Sequence, residues 1–177
     1  MEIRFSKHSL AKISKHAVNV FPLEGYGFLV GTQNVIYAAL PVVKTSKWHD
    51  SEDRFARLET AYEQAKSLAR GFEMIVPAIY HSHSSDRIKE SPIRSVPSSF
   101  RDKIVYISNV SGGELLYRSY AYRMNEKGEW TKCEFAKLSL KEITAKTNPR
   151  RILSEWSKTW GIADYGNNHE TELKRLY

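Results

Sequence analysis

The chain has 177 residues, with 27 Lys and Arg against 20 Asp and Glu and a net charge of +7. That length makes one domain, or one domain with a short appendage. A single cysteine, Cys133, excludes an intrachain disulfide and any multi-thiolate zinc or iron–sulfur centre.

The first residues, MEIRFSKHSL, lack the apolar core of a secretory signal. No apolar run approaches the ~18 residues of a membrane span. A cytoplasmic protein that does not enter the membrane is therefore expected. The basic excess leaves nucleic acid or an acidic protein as partners. It forms no long block, so it reads as solubility charge rather than a nucleic-acid footprint.

Residues 6–20 place Leu10, Ile13, Ala17 and Val20 at helical spacing, with Ser6 as N-cap and Pro22 as terminator. EGYGFLVG (24–31) and VIYAALPVV (35–43) are predicted strands joined by turn residues 31–34. A polar loop follows. A helix is then predicted over 54–71, with Phe55, Leu58, Tyr62, Ala65 and Leu68/Ala69 on one face and Gly71 as its stop. MIVPAIYHSH (74–83) is an apolar strand ending in polar residues. The Ser- and Pro-rich stretch 84–101 is a loop with one short helix. Strands over 103–109, 114–124 and 129–138 make an antiparallel meander. Beyond Pro149 a C-terminal extension with one or two short helices is expected. Trp156, Trp160, Ile162 and Leu173 could dock a partner or a second copy, or fold back on the sheet. The order of elements is that of an α/β or α+β domain with a mixed sheet.

His81 and His83 are the sharpest chemical feature. At i and i+2 of a strand their side chains leave the same face, roughly 6.5 Å apart along the chain. Two imidazoles so placed can converge on one cation, or can be two buried histidines satisfied by neighbours. Glu24, at a strand start, is a general-base candidate or a surface glutamate. Cys133, in a strand, fits an inert thiol better than a nucleophile. Tyr117, Tyr120 and Tyr122 with Arg118 and Arg123 could form an RNA-stacking sheet, but alternation on a two-sided sheet explains them more simply.

Together, EGYGFLVG, the strand pair, RF at 54–55, YHSH (80–83) and Ser91 resemble the JAB/MPN family of zinc-dependent, deubiquitinase-like metalloproteases. That family's JAMM motif is a glutamate on an early strand, then His-x-His, seven residues, Ser, two residues, Asp. Glu24, His81, His83 and Ser91 stand at matching positions, and the resemblance runs over about residues 5–138. The fifth position departs: Arg94 stands where the metal-binding aspartate belongs. Asp86 and Glu90 in the same loop, or His49 and Asp50 in another, could supply a substitute ligand. A second register, Ser99 and Asp102, also reads Ser-x-x-Asp but runs straight into the next strand.

The resemblance implies a cytidine-deaminase-like mixed β-sheet flanked by helices over 1–140, with a C-terminal extension over 141–177. It implies zinc held by His81 and His83, water activated by Glu24, and an oxyanion donor in Ser91, whose bland role is helix N-cap. The expected substrate is a peptide or isopeptide bond next to the C-terminus of a ubiquitin-like or sulfur-carrier protein. The alternative implied by Arg94 is a metal-free pseudoenzyme that serves as a protein-binding scaffold.

Overall fold

A computed structural model describes residues 2–21, 23–42, 51–84, 98–111 and 114–160. It is a mixed α/β structure of seven strands and three α-helices among those residues.

The first element is one the sequence reading passed over. Strand β1 (Glu2–Phe5) alternates so that Ile3 and Phe5 are fully buried. Helix α1 (Lys7–Val20) follows, capped as expected by Ser6, whose side chain accepts from the Ser9 N–H at 3.0 Å. Ile13 and Ala17 of the expected stripe are buried, and His16 joins them on that face.

Strands β2 (Tyr26–Gly31) and β3 (Val35–Val42) form the expected antiparallel pair. Helix α2 (Ser51–Gly71) buries Leu58, Ala61, Ala65 and Ala69, a stripe at i, i+3 and i+4. The expected Tyr62 and Leu68 are only partly buried at its edge. Strand β4 (Ile75–Ser84) runs antiparallel to β2 and parallel to β5 (Ile104–Ser111). Strands β6 (Glu114–Met124) and β7 (Trp130–Lys137) complete the predicted meander.

The sheet order is β1-β3-β2-β4-β5-β6-β7, and it closes on itself. This corrects the expectation of a sheet simply flanked by helices. The closing piece is β1, which pairs in parallel with both β3 and β7 and so satisfies two strand edges at once. Side-chain alternation divides the core into two buried clusters. Leu29, Ala39, Ala78, Tyr80 and Tyr106 meet α1 on one face. Phe28, Leu40, Val105 and Ile107 meet α2 on the other.

Helix α3 (Pro149–Trp160) joins the second cluster. Pro149 sits at the first helical position, and the Asn148 carboxamide oxygen accepts from the Arg150 N–H at 3.0 Å. Ile152 and Trp156 are fully buried, and the Trp156 indole N–H donates to the Pro41 carbonyl at 2.8 Å. That carbonyl lies on the part of β3 beyond Ile36, where pairing with β1 ends. No helix among the described residues is long and apolar enough to cross a membrane.

Candidate metal centre

The candidate site lies where β4 ends. Successive residues of β4 point to opposite faces, so Ala78 and Tyr80 enter the α1 side while Ile79, His81 and His83 face the other. His81 and His83 are 0% and 2% exposed. Their Nε2 atoms approach to 2.7 Å, a hydrogen bond in which one ring donates and the other accepts. Burial, and secondarily the His83 charge, push the His81 pKa down from 6.5 to about 3. The His81 ring is therefore neutral at neutral pH, the form a metal requires.

Strand β2 brings Glu24 to the same place. Tyr26 is level with His81, and its ring stacks on the imidazole at 5.8 Å and 18°. One residue further the ladder continues through Ser82 N–H to the Gly25 carbonyl at 2.9 Å. Ser82 Oγ accepts in turn from the Gly25 N–H at 2.8 Å. Extending this register by one more residue sets Glu24 opposite His83, on the face that carries both histidines. The half-buried Glu24 accepts at Oε2 from the Tyr26 hydroxyl at 3.1 Å. The tyrosine thus ties the carboxylate to the ring that stacks on His81.

Strand β5 supplies a residue the sequence reading did not single out. Asn109 is level with His83 and 1% exposed. A signal was present: two apolar runs, MIVPAIYHSH and KIVYISN, both end in polar side chains, as parallel strands do at a site on their carboxyl ends. Ser82 was read only as the spacer of His-x-His, and nothing local in the sequence announces its bond to Gly25.

The pair fits the nitrogen half of a tetrahedral zinc site. Ligand bonds of 2.0–2.1 Å at tetrahedral angles separate two nitrogens by about 3.3 Å. The rings would part by about 0.6 Å from the present contact to admit the ion between them. Among the described residues no group of three or more His, Cys, Asp or Glu side chains gathers to complete a ligand set. Ser91, Arg94, Asp86, Glu90, His49 and Asp50 lie outside the described residues.

The second register is excluded by position. Asp102 lines a cavity with Ile75, Val76 and Pro77, at the start of β4. Four to six residues of extended chain, roughly 13–20 Å, separate that point from His81. Asp102 instead pairs with Lys103 at 2.5 Å, and Ser99 is exposed. Ser99 and Asp102 are not ligands to this site.

Two other candidates resolve as structural. Cys133 is partly buried, and burial raises its thiol pKa, which disfavours the thiolate a nucleophile needs. Tyr120 and Tyr122 are 8% exposed in the core, so they offer no open stacking platform.

No protein-family model and no curated protein matches the chain. Among solved structures it is similar to a protein from Salinibacter ruber, with TM-score 0.58 and 21% identity over 78% of this chain and 93% of that one. A protein from Desulfitobacterium hafniense is similar with TM-score 0.52 and 17% identity, over 77% and 93% of the two chains. A weaker likeness, with TM-score 0.47 and 20% identity over 76% and 99%, is to a JAB1/MPN domain protein from Archaeoglobus fulgidus. The first two show a shared fold and, at such identity, nothing finer.

Proposed function

We propose that the chain is a JAB/MPN-type zinc-dependent hydrolase. Its substrate would be a peptide or isopeptide bond next to the C-terminus of a ubiquitin-like or sulfur-carrier protein. The observation that carries this reading is the approach of the buried His81 and His83 to 2.7 Å through Nε2, with Glu24 bonded to the Tyr26 hydroxyl whose ring stacks on His81.

Zinc bound there would polarise a water and a substrate carbonyl. The chain's own residues supply the rest. His81 and His83 offer neutral nitrogen donors held rigid by burial. Glu24, steadied by Tyr26, takes a proton at its carboxylate. Ser91 supplies an oxyanion donor on the motif's register. Because Ile152 and Trp156 are buried in the core, docking by the C-terminal segment falls to its other residues.

The test is metal content by elemental analysis, followed by zinc titration. His83→Ala should abolish bound zinc, and Asp102→Ala should leave it unchanged. Arg94→Asp restores an oxygen ligand and removes a cation, and should tighten zinc at least ~100-fold. Absence of zinc binding in both the parent and Arg94→Asp would overturn the hydrolase reading in favour of the metal-free scaffold.

A further inference from the structure

On the face of the sheet that meets α1, behind the candidate site, a polar pair sits in an otherwise apolar core. His16 of α1 and Tyr80 of β4 are 4% and 1% exposed, and His16 Nδ1 lies 2.8 Å from the Tyr80 hydroxyl. The two rings meet edge-on at 5.8 Å and 88°. Ile13, Leu29, Ala39 and Ala78 belong to the same buried cluster as Tyr80. The other ring nitrogen of His16, Nε2, is buried and has no hydrogen-bond partner among the described residues.

Two apolar side chains of similar shape would fill this space and leave no nitrogen unpaired, so stability alone does not call for the bond. What a hydrogen bond adds is direction: it fixes where the Tyr80 ring stands relative to α1. That ring bears on the site in two ways. Tyr80 directly precedes His81 in β4, and a Cβ on Gly27 of β2 would strike its ring. A Cβ on Gly25, the chain neighbour of Glu24, would crowd the His16 ring in turn. The pair therefore stands against β2 on either side of Tyr26, whose ring stacks on His81 and whose hydroxyl bonds Glu24.

We propose that His16 and Tyr80 are positioning residues of the candidate site: their hydrogen bond ties β4 to α1, sets how closely β2 lies, and so fixes the approach of His81 to His83. The inference rests on the hydrolase reading only for what that geometry serves.

The test uses the full chain and two readouts. One is the imidazole proton and nitrogen resonances of His81 and His83 in the metal-free protein, which report the short contact between their Nε2 atoms. The other is zinc affinity by titration. His16→Leu and Tyr80→Phe each remove the bond between the pair. Each should shift the signature of the short contact and weaken zinc at least ~10-fold, the lower end of what altering a ligand's support does to metal affinity. His16→Gln, whose carboxamide can still accept from the hydroxyl, should restore both readouts. Ile13→Ala empties a fully buried position one turn earlier on α1. It should cost stability and leave both readouts unchanged in the folded protein. If His16→Leu does not fold, Tyr80→Phe, which keeps the ring, decides alone. The proposal is overturned if the bond-removing variants match the parent, if Ile13→Ala moves the readouts as much as they do, or if His16→Gln restores nothing. A parent that binds no zinc would count against the hydrolase reading, and the imidazole resonances would then decide this proposal by themselves.

Discussion

Replacing Trp156 with alanine tests whether the C-terminal helix is part of the cooperative fold. The indole is fully buried between α3 and the sheet, and its N–H donates to the Pro41 carbonyl. Truncating a fully buried tryptophan costs about 3–5 kcal/mol in transfer and cavity terms. The stranded carbonyl belongs to the upper part of that range. Native domains have only about 5–15 kcal/mol to lose. Trp156→Ala should therefore lose about 4 kcal/mol, which lowers Tm by roughly 8–16 °C for a chain of this size. Trp156→Phe keeps most of the apolar contact and loses the hydrogen bond, so about 1–2 kcal/mol is expected. Urea titration followed by far-ultraviolet circular dichroism reads both, because tryptophan emission changes with the substitution itself. A loss below about 1 kcal/mol for Trp156→Ala would show that α3 is not held in the core, and the structural argument would fail.

Gly27→Ala should destabilise the chain by at least ~2 kcal/mol, because its Cβ would lie 2.3 Å from the Tyr80 ring and 2.5 Å from the Leu40 carbonyl oxygen. Gly71→Ala, with open space around the new methyl, should be neutral or slightly stabilising in the same urea titration. Burial, and then the Lys12 charge, lower the His16 pKa from 6.5 to about 4. Between those values the unfolded chain binds a proton that the folded chain does not, so stability falls as pH drops from about 6.5 toward 4, by about 3 kcal/mol. His16→Gln, which cannot charge, should lessen the slope of that part of a pH–stability profile by one proton's share, His8 and His81 keeping theirs, and an unchanged slope would refute the assignment.

How much of this was legible in the sequence differs by residue. The placement of His81 and His83 on one face follows from the two-residue period of a strand. The α1 cap and the meander followed from local turn and cap chemistry. Strand β1 was missed because four residues with no turn signal carry little local information. Its pairing partners lie about thirty residues away in β3 and over a hundred away in β7. Only the alternation of Ile3 and Phe5 hinted at it. Trp156 stood out in the C-terminal segment as an apolar anchor, but nothing local said what it would cover, because the answer is Pro41, 115 residues earlier. Asp102 fitted a motif by spacing, and the parallel register of β4 and β5 removed it.

The two glycines around Tyr26 show how the site is set from the opposite face of the sheet. A Cβ at Gly25 would stand 3.0 Å from Val20 and 3.2 Å from His16, while one at Gly27 would strike the Tyr80 ring. His16 and Tyr80 are themselves joined, Nδ1 to hydroxyl, at 2.8 Å. One hydrogen-bonded pair between α1 and β4 therefore fills the space that both glycines leave open. With that space filled, β2 settles close against β4, and the Gly25–Ser82 bonds form at 2.8 and 2.9 Å. The backbone register that these bonds fix carries on toward Glu24, the next residue of the chain, before any bond of its own side chain. A methyl group at position 25 or 27 would push β2 outward and move Glu24 away from the histidines without touching any of the three. The geometry of the candidate site thus rests on packing that lies behind it, where neither the imidazoles nor the carboxylate take part.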